Sequence, residues 1–159
     1  VMPIFCTSGK RDIGTKRLME FIINVAPGPL KAPAFLATDG AEIAADEAAP
    51  AVAFVFKSQV EQHIGEISYF RVIRGKITEG TELMNTRTGN KEKLSQLFAV
   101  AGKNRVKVTE LSAGDIGCTV KLKGTRTNDT LSAPAPSTAR AISVMSVTLG
   151  DSFTISVFL

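Results

Sequence analysis

The period of the apolar residues changes near residue 50. Upstream, Leu18, Phe21, Ile22 and Val25 recur at helical spacing. A helix with one buried face is therefore predicted from Gly14-Thr15, with Thr15 as N-cap, to the break at Pro27-Gly28-Pro29. Val1 to Phe5 is a short apolar run that reads as a buried strand. A strand feeding an amphipathic helix is one unit of an α/β domain, and alone it has no sheet to join. Downstream the pattern is β: Ala51–Lys57 and Glu66–Arg74 are rich in Val, Phe and Ile. Thr81–Thr86 and Lys91–Phe98 flank Thr88-Gly89-Asn90, a hairpin turn signal. Ile116, Cys118, Val120 and Leu122 alternate with Gly117, Thr119 and Lys121, which predicts a half-buried strand with the first set inward.

Short strands with regular turn signals predict a mainly β fold, a closed antiparallel barrel over 51–136, bounded by Pro134 and Pro136. Residues 30–50, rich in Ala, Pro and acidic groups, read as a linker after the strand-helix unit of 1–29. The tail, 137–159, alternates apolar residues with Ser and Thr around Gly150-Asp151 and predicts a β-hairpin of unassigned role.

A chain of 159 residues can bury a core without staples. With 44% hydrophobic and 21% charged residues it belongs among ordinary globular proteins. The net charge of +4 is unevenly spread: residues 1–50 sum to −1 and residues 51–137 to +5. From Arg87 to Lys107, six cations (Arg87, Lys91, Lys93, Lys103, Arg105, Lys107) face Glu92 alone, a bias that attracts polyanions or merely solubilises a surface. Cys6 and Cys118 are far apart in apolar surroundings, which predicts two buried thiols in a reducing compartment. One histidine and no ligand cluster argue against a metal site, and no apolar run reaches membrane-spanning length, so a cytoplasmic protein is predicted. His63 lies in a polar loop and reads as a surface residue. Tyr69 and Phe70 are adjacent in a strand, so one should point inward and the other outward.

Gly9 to Lys16 has the glycine spacing of a phosphate loop, but Thr15 stands where the phosphate-reaching lysine must follow the second glycine. Phosphate binding there is not expected.

An ordered set of short elements carries more information than any one of them. Phe70-Arg71-Val72, Arg74-Gly75, Gly80, Ala113-Gly114-Asp115-Ile116-Gly117 and Asn128-Asp129-Thr130-Leu131 together resemble the β-barrel domain II of bacterial elongation factor G, a translational GTPase. Pro3 to Gly9 is similar to the last strand of that family's GTPase domain, and Thr15 to Val25 to its last helix. The resemblance implies a guanine contact at Ser8, Gly9 and Lys10, with Gly9 where alanine is usual. The phosphate, magnesium and catalytic motifs of such a GTPase have no match here. No enzymatic activity or cofactor is therefore expected of this chain, whereas a longer parent would be a GTPase using GTP and Mg²⁺. The family docks on the ribosome and drives movement of tRNA and mRNA. The resemblance thus implies that this piece, monomeric and free of membranes, contacts small-subunit ribosomal RNA. Arg74, Arg87, Lys91 and Lys93 are the candidate contacts, with the GTPase domain and downstream domains as further partners. Tetracycline-resistance ribosomal protection proteins and release-factor-type GTPases share the barrel and stand as alternatives. A free-standing nucleic-acid-binding barrel is a third, disfavoured because Phe98 is the one aromatic among the cations of 87–107.

Overall fold

The computed structural model describes residues 3–102 and 104–134, and the backbone of 147–148 and 154–155. Among the described residues one α-helix, α1 (Thr15–Val25), precedes the strands. These are β1 (Phe35–Leu36), β2 (Glu42–Ile43), β3 (Val52–Glu61), β4 (Gly65–Arg74), β5 (Lys76–Thr78), β6 (Glu82–Asn85) and β7 (Lys91–Lys93). They continue with β8 (Leu97–Ala101), β9 (Asn104–Val108), β10 (Glu110–Ser112), β11 (Ile116–Val120) and β12 (Thr130–Ser132). In the tail, β13 (Val147–Thr148) pairs antiparallel with β14 (Thr154–Ile155); the rest of the predicted hairpin lies outside the described residues.

The main sheet runs β7-β6-β12-β3-β4-β11-β8-β9, and β5 pairs with β10 in a separate ladder. The fold is mainly β, as predicted, but the sheet is not closed. Its ends, β7 and β9, do not pair with each other. Loop backbone serves this region instead: Gly80 donates to the Leu94 carbonyl (2.7 Å), Leu94 to Thr81 (2.9 Å) and Glu79 to Thr109 (3.0 Å). Register shifts in the β3–β4 ladder at Val52/Ala53 and Val55/Lys57 bend the sheet. It curls around one core of Ala53, Val55, Phe70, Val72, Leu83 and Leu131, with Ile77 and Leu111 added by β5 and β10.

Two smaller clusters cover the sheet's outer face. Ile67, Cys118 and Val120 pack with Tyr69, Phe98 and Val100, so Tyr69 is the outward ring and Phe70 the inward one. Val52, Phe54 and Ile73 pack with Phe35, Ala37 and Ile43. Residues 30–50 are therefore not a loose linker. Their β1–β2 hairpin, turned at Asp39-Gly40, lies against the back of β3, and Gly75 donates to the Asp46 carbonyl at 2.7 Å.

Three expectations need correction. Residues 3–7 form no strand, and Ile4 is 87% exposed, because no neighbouring sheet among the described residues receives them. Cys6 is exposed for the same reason, whereas Cys118 is buried. Gly14, not Thr15, is the N-cap: it takes φ +74, where a Cβ would sit 2.7 Å from the Cys6 carbonyl. The helix ends where predicted, but its apolar stripe is only partly covered, with Phe21 against Phe5 at 4.8 Å and Ile22 exposed.

Candidate nucleic-acid interface

Two buried carboxylates organise one rim of the sheet. Strand alternation turns Glu92 of β7 inward between the exposed Lys91 and Lys93. There it is 3% exposed and accepts from the Lys123 N–H (3.0 Å), the Gly124 N–H (2.8 Å) and Thr125 Oγ1 (3.2 Å). Asp129, 4% exposed, accepts from Arg87 Nε (2.6 Å) and Nη2 (2.9 Å), Asn85 Nδ2 (2.8 Å) and the Arg126 N–H (2.9 Å). Burial alone would push the Asp129 carboxyl up. The bonds from Arg87, then Asn85 and Arg126, outweigh it and hold the group below its ordinary value. The 121–129 loop is thereby tied to the β6–β7 hairpin at both ends.

The hairpin is the one predicted at Thr88-Gly89-Asn90. Asn85 Oδ1 accepts from the Arg87 and Thr88 N–H groups (2.9 and 3.2 Å), and Gly89 takes φ +70. A buried asparagine thus shapes the turn with its oxygen and holds Asp129 with its nitrogen.

These contacts sort the cations expected to meet RNA. Arg87 is committed inward: besides Asp129, its Nη2 donates to the Gly124 carbonyl at 3.0 Å. Arg105 is paired with Glu61 and donates to Tyr69 Oη, and Lys107 pairs with Glu79 at 2.8 Å. Lys103 lies outside the described residues. Lys91 and Lys93 are exposed and have no ion pair among the described residues. Arg74, at the far end of β4, is half-buried with its Nε unpartnered, and it does not join them. Sequence reasoning overlooked three cations of the clamped loop, Lys121, Lys123 and Arg126, all exposed. Their spacing around Gly124 was visible, but only the fold shows that Glu92 ties this loop to β7.

At the other end of the chain, Ser8, Gly9 and Lys10 open a single 3-10 turn (Gly9–Arg11), with the Ser8 backbone bridged to Ile13. Gly9 and Lys10 are exposed. His63 is exposed in the β3–β4 turn with φ +75. Among the described residues no group of three His, Cys, Asp or Glu side chains could hold a metal ion, and no helix is long and apolar enough to cross a membrane.

Set beside known proteins, this curled sheet with its basic rim is a β domain of a translation factor. The family model described as elongation factor G domain 2 matches residues 50–134, and the chain belongs to that family. It is 35% identical over 133 residues to elongation factor G of Fervidobacterium nodosum, covering 81% of this chain and 19% of that protein. It is 34% identical over 136 residues to elongation factor G 2 of Syntrophomonas wolfei subsp. wolfei, covering 82% and 20%. A crystal structure of a protein from Thermus thermophilus superposes with a TM-score of 0.62 at 28% identity, over 81% of this chain and 17% of that one. The chain thus spans about a fifth of the length of the relatives it matches.

Proposed function

We propose that this chain is part of a ribosome-dependent GTPase of the elongation factor G type. In it, the β domain docks on small-subunit ribosomal RNA and couples the GTPase domain to the rest of the factor during movement of tRNA and mRNA. The observation that carries this is the family match together with unpaired cations on one clamped rim. Lysines on a rigid hairpin suit phosphate contacts, which position a protein without reading sequence. The similarity to the two elongation factors extends beyond the matched domain, which supports reading residues 1–29 as the end of a GTPase domain. Ser8, Gly9 and Lys10 then supply a backbone contact to guanine, while GTP phosphates and Mg²⁺ are held by other parts of the parent. The chain itself carries no catalytic group and works as a monomer in the cytoplasm.

The test is co-sedimentation with purified small ribosomal subunits over a salt series, beside a Lys91→Glu, Lys93→Glu variant. Arg87 is left intact because its charge neutralises Asp129. Salt-sensitive binding that the variant loses supports the reading. Equal binding by the variant moves the contact off this hairpin, and no binding even at low salt refutes docking by this domain alone.

A further inference from the structure

Between the β6–β7 hairpin and the 121–129 loop lies a cleft of about 390 Å³, lined by Glu66, Arg87, Thr88, Lys123, Arg126 and the backbone at Gly124. That volume falls within the range of small-ligand sites. Its charges are mixed in a way that simple phosphate docking does not need. Three basic residues share it with Glu66, which is exposed and makes no salt bridge among the described residues.

The walls are fixed in advance. Lys123 and Arg126 each hang from a backbone N–H tied to a buried carboxylate, Glu92 (3.0 Å) and Asp129 (2.9 Å) respectively. Arg87 spends Nε and Nη2, donors in the plane of its guanidinium, on Asp129 and the Gly124 carbonyl. That edge is occupied, while the side chain as a whole is 47% exposed. A guanidinium held by its edge is a stacking platform for a nucleobase. A carboxylate only accepts hydrogen bonds, so Glu66 favours a base edge that presents N–H donors. Guanine offers two adjacent donors on its Watson–Crick edge, a match for both carboxylate oxygens, whereas uracil offers one.

The geometry points to this cleft as the seat of a single unstacked RNA nucleotide. Its phosphate lies against Lys123 and Arg126, its base over Arg87, and its N–H edge on Glu66, with guanine preferred. This rests on the RNA-docking reading and deepens it from charge attraction to base selection. Glu92 and Asp129 are positioning residues that keep the loop cations in place.

The test uses short oligouridines carrying one internal G, A or C, with binding followed by fluorescence anisotropy over a salt series. The wild-type chain should prefer the G probe over plain oligouridine by about tenfold, the scale of one bidentate base contact. Glu66→Gln should remove that preference and leave the salt slope unchanged. Lys123→Gln with Arg126→Gln should lower the slope by about 0.7, the share of one neutralised phosphate on a single strand. All three residues are exposed, and a thermal melt of each variant checks that it folds as the wild type does. Equal affinity for every probe, or a G preference that survives Glu66→Gln, overturns the proposal. Small-subunit binding lost by the Lys91, Lys93 variant but kept by the Lys123, Arg126 variant excludes the cleft and leaves docking standing. Failure of the wild-type chain to bind both probes and subunits removes both readings.

Discussion

Asp129→Asn is the sharpest test of what holds the rim together. The carboxylate receives four hydrogen bonds, two from Arg87 and one each from Asn85 and the Arg126 N–H. Oδ2 accepts three of these bonds and Oδ1 only the one from Arg87 Nε, so the amide of the variant keeps its oxygen at the Oδ2 position and turns its nitrogen, a donor facing a donor, toward Arg87 Nε. A bond to a charged group is worth roughly 1.5–3 kcal/mol, and the three bonds that remain lose their charge as well, so the expected loss is at the top of that range, about 3 kcal/mol. Against a typical domain stability of about 5–15 kcal/mol this is a large fraction. Urea unfolding followed by circular dichroism should show the midpoint falling by about 1.5 M, for a slope near 2 kcal/mol/M. The pH dependence adds a second signature. The folded carboxyl is held below its ordinary value, so its contribution is complete above about pH 4 and drains away as pH falls through the lowered folded value. The wild-type advantage over Asp129→Asn should shrink in that acid range. A variant within about 0.5 kcal/mol of wild type at pH 7, in the band of neutral surface changes, would refute the idea that Asp129 clamps the loop.

Other expectations follow from local geometry. Gly75→Ala should cost about 3 kcal/mol, because φ is +75 and a Cβ would lie 2.5 Å from the Ala49 carbonyl and 2.6 Å from Ala51 Cα. Gly89→Ala, at φ +70 with nothing within 4 Å, should cost only about 1 kcal/mol; equal midpoints in thermal melts would contradict both. Phe70→Ala empties a fully buried site and should cost about 3–5 kcal/mol in urea, with a loss under about 1 kcal/mol incompatible with the core described. Burial pushes the Cys118 thiol up and encloses it, while Cys6 is exposed. Ellman's reagent should therefore titrate one thiol in the native chain and two in denaturant, and two fast native thiols would refute that placement.

The strands near 51–57, 66–74, 81–86 and 116–120 were legible because their apolar residues are bounded by turn signals, whereas β1, β2, β5, β9, β10 and β12 were not foreseen. The failures have local causes that no alternation reveals. The predicted strand Lys91–Phe98 divides into β7 and β8 just after Leu94, which is fully buried and still donates to the Thr81 carbonyl: Gly80 rather than Thr81 donates back to it, and the Ser95 N–H turns onto the Lys93 carbonyl at 3.1 Å. Leu122 was grouped with Cys118 and Val120, yet those two face outward and Leu122 faces the central core. Between them Lys121 takes φ +62, and that single left-handed residue switches the side of the sheet on which the next side chain falls. Order in 30–50 was invisible for another reason. Phe35, Ala37 and Ile43 find enough partners only because the outer face of β3 carries Val52 and Phe54, while Leu30 and Leu36 stay exposed.

The site was harder to read than the fold, because sequence reports charge but not its availability. In the Arg87–Lys107 stretch, the cations differ by the face on which they fall and by the carboxylates that long-range pairing brings near them. Arg87 meets Asp129 across 42 positions and Arg105 meets Glu61 across 44, separations at which composition says nothing about pairing. Glu92, the lone acid of the stretch, looked like a minor subtraction from a positive patch. In the fold it is buried and adds to the patch, drawing the 123–124 backbone onto β7 and with it the exposed Lys123. A buried acid that accepts backbone N–H groups neutralises no side-chain cation, so the surface keeps its charge while the loop beneath is held in place.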